Sequence, residues 1–153
     1  MIKKKWLDQH IPHRLHAALA DLPLQREIIQ ILGEGYRQEI EERCKVSATT
    51  QGRLAAIRWL IEFIGVQDRR YSTDISISQI QGGKEFDLSS PEAEKLRQVW
   101  KGCAQAVGHP TDRTNHPPVN EKELDEALRI IRAHLESTIY ATSKQRLVHS
   151  LIT

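Results

Sequence analysis

Residues 54–65, LAAIRWLIEFIG, are apolar around nearly the whole circumference of a helix, with Arg58 and Glu62 as the charged interruptions. A helix of that kind is stable in water only when other elements surround it. The stretch therefore demands a fold in which it is central and the remaining segments form an amphipathic coat. Arg58 and Glu62 stand at the i,i+4 spacing of a helical ion pair, and Gly65 is placed to close the helix at its C-terminal cap.

The coat is supplied by helices. Leu7, Ile11, Leu15, Ala18, Leu19 and Leu22 recur at the steps of an amphipathic stripe, with Pro12 suited to the first turn. A second stripe beginning near Pro23 predicts burial of Leu24, Ile28, Ile31, Leu32, Tyr36 and Ile40. Gly33 and Gly35 interrupt it, and each glycine costs about 1 kcal/mol in a helix relative to alanine, so a kink or a close helix crossing is expected there. Residues 66–88 read as irregular, although Ile75 and Ile77 alternate with serines and allow a short extended piece or hairpin.

Ser89, Ser90 and Pro91 then open a helix carrying Leu96, Val99, Trp100, Cys103 and Val107 on one face and ending at Gly108. The last helix has the strongest local signature: Asn120 as N-cap, Glu123 three residues later, and Val119 with Leu124 as a hydrophobic staple. Leu124, Leu128, Ile131, Leu135 and Ile139 make its apolar stripe. The expected fold is all-α, a single-domain bundle of about five helices with an irregular 66–88 segment.

Composition fits this reading. The 153 residues are 39% hydrophobic and 27% charged, as in globular proteins, but only 5% aromatic, so aliphatic side chains must fill the core. Cys44 and Cys103 sit within apolar helical patterns without CxxC spacing, which argues against a disulfide framework and for a reducing compartment. "MIKKKW" is followed by a polar stretch rather than the apolar run of a secretory leader, and no membrane-spanning run occurs. A cytoplasmic location is expected. The formal charge of +2 is weaker than a phosphate-gripping surface usually shows, so nucleic acid is allowed rather than implied.

Three stretches offer chemistry. The connection His109-Pro110-Thr111-Asp112-Arg113-Thr114-Asn115-His116 holds two imidazoles, a carboxylate and a guanidinium between two helices. Three such ligands with an open position suit a zinc ion, and paired histidines suit acid and base work, yet the spacing matches no metal motif. The competing structural reading is that Pro110, Pro117 and Pro118 set an extended path while the polar groups satisfy helix ends.

The "HIPHRLH" run places His13 and His16 near one helical edge beside Arg14, an anion-facing surface or a plain solvated one. Residues 40–60 have the outline of a helix-turn-helix, with Thr49, Thr50, Gln51 and Arg53 at the start of its second helix. His13, Arg14 and Arg53 are accordingly the candidate nucleic-acid contacts. "SQIQGGKEF" lacks the glycine and the Ser or Thr that a phosphate loop requires. No metal or cofactor motif is present, and HExxH, GxSxG and GxGxxG are absent.

A small helical bundle with Arg113 and His116 near the start of its last helix resembles HEPN domains, many of which are RNA-cleaving toxins or defence proteins. In that family the histidine stands four to six residues beyond the arginine and usually inside the helix. Here two residues separate the pair, and both precede the helix behind two prolines. The resemblance implies a nuclease in which Arg113 positions a phosphate while His109 and His116 handle protons. The leading expectation from the residues themselves is a non-catalytic interaction or regulatory module that binds a protein partner or a second copy of itself.

Overall fold

The computed structural model describes residues 4, 7, 8, 11, 15, 23–41, 50–67, 74–108, 119–142, 146 and 147. The protein is all-α, and among the described residues there is no strand. Among the described residues four α-helices have defined bounds: α1 (Pro23–Leu32), α2 (Thr50–Phe63), α3 (Pro91–Gly108) and α4 (Glu121–Ser137). Short 3-10 turns lie at Glu34–Tyr36 and Ile77–Gln79, and residues 37–41 are helical. No helix of the described residues is long and apolar enough to cross a membrane.

The apolar stretch takes the central place its composition demands. α2 packs along α3 and against α4, and α4 packs in turn on α1 and α3. Ala56, Ile57, Leu60, Ile61, Phe63 and Ile64 are buried, and full burial of each large aliphatic among them is worth about 1.5–3 kcal/mol. The helix closes as its glycine predicts. Gly65, at φ 87°, donates its N–H to Glu62 O (3.1 Å) while Val66 N reaches back to Ile61 O (3.2 Å). These are the paired bonds of a Schellman cap, with Val66 and Ile61 both buried beneath it.

α1 differs from its expected face. Ile28 and Ile29 are buried and Leu32 partly so, whereas Ile31 and Tyr36 are 40% and 43% exposed. At 100° per residue Ile31 lies about 160° from Ile29, so a face built on Ile28, Ile29 and Leu32 leaves it outside. The glycine pair is a break rather than a crossing. Gly33 adopts φ 102°, ending α1 with its N–H on Ile29 O (2.8 Å), and a Cβ at Gly33 or Gly35 would meet nothing within 4 Å. Glu34 and Glu41 hold Arg37 at 2.7 and 3.3 Å across the restart, and Ile40 is buried again.

The described part of the irregular segment from residue 74 to 88 forms a strap. Ser76 caps the 3-10 turn through a reciprocal bond with Gln79, and Ile77 and Ile80 are buried. Ile77 thus belongs to a turn, not to an extended piece or hairpin. Phe86 N donates to Ile64 O (2.8 Å), tying the strap to the end of α2. Ser90 then begins α3, accepting from Ala93 N (3.3 Å) and donating to Asp87 O (2.6 Å). Ala93, Leu96, Val99 and Cys103 are its buried face.

α4 follows its sequence signature. Glu123 N donates to Asn120 Oδ1 (2.9 Å) and Asn120 N to Glu123 Oε2 (3.0 Å), the reciprocal capping box. Leu124, Leu128, Ile131 and Leu135 are buried, and the chain beyond the helix buries Ile139 and Tyr140. The Tyr140 hydroxyl donates to Leu7 O (2.6 Å) and Arg146 pairs with Asp8 (2.7 Å), so the two terminal segments meet. Ile11 and Leu15 are buried in the same cluster.

Candidate functional site

His109, Arg113 and His116 lie outside the described residues, as do His13 and Arg14. The structure does describe both anchors of the 109–118 connection: α3, which runs to Gly108, and Val119, which leads into the cap of α4. Val119 rests on α3 so closely that a Cβ on Gly102 would come within 1.8 Å of its Cγ2. The glycine is therefore a seat for the residue just before the N-cap of the last helix.

Arg53 stands at this same junction. It is buried, with 5% of its surface exposed, and its guanidinium bridges the first two turns of α4. One nitrogen donates to Glu121, and Nη2 donates to Asp125 Oδ1 at 3.1 Å. The expectation of a solvent-facing helix-turn-helix contact thus meets an inward-turned side chain. Helical register explains the direction, since Ile57, Leu60 and Ile64 follow Arg53 at offsets of four, seven and eleven and share its face. All three are buried. Thr49 is outside the described residues, as are the side chains of Thr50 and Gln51.

The positive end of α4 is likewise filled from within. The capping box satisfies the N–H groups of Asn120 and Glu123, and Glu121 and Glu123 place two carboxylates in the first turn of α4. A helix N-terminus would otherwise attract an anion. Asp125, with a side chain 23% exposed, has its pKa raised first by burial; the adjacent Arg53 charge opposes that rise and Glu121 adds to it.

A second polar seam joins α2 to α3. Glu62 Oε1 accepts from Trp100 Nε1 (2.8 Å) and from Arg58 Nε (3.0 Å), and the Arg58 guanidinium sits 5.5 Å from the Trp100 ring centre. The i,i+4 pair foreseen in the sequence is present, but its acid also holds the neighbouring helix. A third seam joins α1 to α4. Arg132, buried at 6% exposure, reaches Glu27 (3.3 Å) and Glu136 (2.9 Å), leaving Nη2 without a partner. No sequence motif marks Arg53 or Arg132 as a tie between helices; register on the buried stripe was the available signal.

Cys103 is free and buried on α3, near enough to Arg53 and Arg58 for both charges to act on its thiol. Burial pushes its thiol up to about 12, against the opposing influence of Arg53 and Arg58. It is a protonated, apolar-packed thiol at neutral pH rather than a nucleophile. Among the described residues no group of three or more His, Cys, Asp or Glu is arranged to hold a metal ion.

His134 links α4 to the strap. Its Nε2 lies 2.7 Å from the Lys84 carbonyl, which can only accept, so this nitrogen carries the proton. The ring meets Phe86 edge-on at 5.0 Å. Burial lowers the His134 pKa below 6.5, outweighing the bond to Lys84. The unfolded ring takes up a proton first on acidification. Its stabilising contribution is therefore complete above the ordinary imidazole value and is lost as pH falls through the depressed folded value. His134→Gln keeps a donor but not the titration, so the decline of stability between about pH 7 and 5 should be shallower in the variant. Urea midpoints at both pH values check this, and an identical slope would assign the titration to other groups.

Comparison with protein-family models, with curated proteins and with solved structures finds no match for this chain.

Proposed function

We propose that this protein is a cytoplasmic, non-catalytic interaction or regulatory module, acting through a protein partner or through self-association. The observation that carries the reading is the internal use of three of its arginines. Arg53, Arg58 and Arg132 each spend their charge on carboxylates of the same chain, and each does so at a contact between helices. Such groups brace a scaffold. Phosphate binding relies instead on guanidinium and ammonium groups that release counterions on contact.

The foot of the 109–118 connection supports the same reading. Glu121, Glu123 and Asp125 outnumber Arg53 and Lys122 at the start of α4, and the acidic excess opposes the approach of a nucleic-acid backbone. Three large apolar side chains, Ile31, Tyr36 and Leu88, are meanwhile exposed. Surface of this kind is what protein contacts cover when it forms part of a larger patch.

Light scattering after gel filtration, on samples from roughly 1 to 100 µM, tests self-association through mass action. The expected result is a mass above 17.6 kDa that rises with concentration, with no retention of labelled RNA or single-stranded DNA at low salt. A constant monomer that cleaves RNA, and loses that activity on combined replacement of His109, Arg113 and His116 by alanine, would overturn the proposal. That result would support the nuclease reading instead.

A further inference from the structure

We draw no further inference here: the strongest candidate, the apolar corner that Ile31 and Tyr36 form on either side of Gly33 at the end of α1, is an unpartnered face, and nothing in the structure shows what covers it.

Discussion

Replacing Arg53 by methionine should lower the melting temperature by about 5–10 °C, corresponding to about 2–3 kcal/mol for a chain of this size. Methionine has comparable reach and no charge, so the packing of this α2 side chain against α4 is approximately kept while the ion pairs are lost. Glu121 is 72% exposed and simply rehydrates, but Asp125, at 23%, is left with a poorly solvated carboxylate. This residual charge is the main source of the cost, because an uncompensated buried ion is worse than either a pair or no ion at all.

Two further results follow from that account. The double variant Arg53→Met with Asp125→Leu should recover most of the loss, since it removes the orphaned charge. The gap between Arg53→Met and the parent should also narrow as the solution is acidified. Without Arg53 the Asp125 pKa rises further above its unfolded value, so the folded state binds the proton first and is favoured at low pH. Thermal melts of the parent and both variants at neutral and acidic pH provide the test. An unchanged melting temperature combined with lost duplex-DNA binding would instead return Arg53 to the role of a surface contact.

The parts of this fold that were legible in the sequence are those governed by neighbours along the chain. Asn120 and Glu123 are three residues apart, and the cap they form needs nothing else. Gly65 is likewise specified by the helix it ends, and the Leu124–Leu128–Ile131–Leu135 stripe by its own period. Arg53 was harder because its partners are 68 and 72 residues away. Its position on the Ile57–Leu60–Ile64 line indicated the interior, while its charge suggested the surface. Only the arrival of α4 decides between the two. Ile31 and Tyr36 misled for the opposite reason, since their apolar character fitted a continuous stripe: Ile31 lies within α1 but off its Ile28–Ile29–Leu32 face, and Tyr36 lies beyond the break at Gly33 that ends the helix.

The polar ties also complement what the composition leaves weak. A core with few aromatic side chains is filled by aliphatic groups that tolerate repacking. Arg53 links α2 to α4, Glu62 links α2 to α3, and Arg132 links α1 to α4. Each contact constrains how one helix can slide or rotate past another, a specifying role that such groups play in some proteins at little gain in net stability. The Arg53→Met, Asp125→Leu double variant addresses this point too. If the tie sets register, the double variant should melt near the parent temperature but with a lower van't Hoff enthalpy.

Gly83→Ala should destabilise the protein by about 2–3 kcal/mol despite adding a single methyl group. A Cβ at Gly83 would lie 1.8 Å from the Ile77 carbonyl oxygen and 2.9 Å from that of Ile80. Both obstacles are backbone atoms, so no side-chain rotation can relieve the overlap. The turn itself must open, breaking the bond from Gly83 N to Ile80 O (2.9 Å) and shifting the buried Ile77 and Ile80 side chains. Gly35→Ala is the matched control, because its new methyl group would meet nothing within 4 Å. There the smaller conformational freedom of alanine in the unfolded chain makes a neutral or slightly stabilising effect the expected outcome, up to about 1 kcal/mol. Urea denaturation of the two variants separates these cases. Equal midpoints would mean that the strap is not held against α2 and α4 as described, because the penalty at Gly83 depends on the turn being unable to move away.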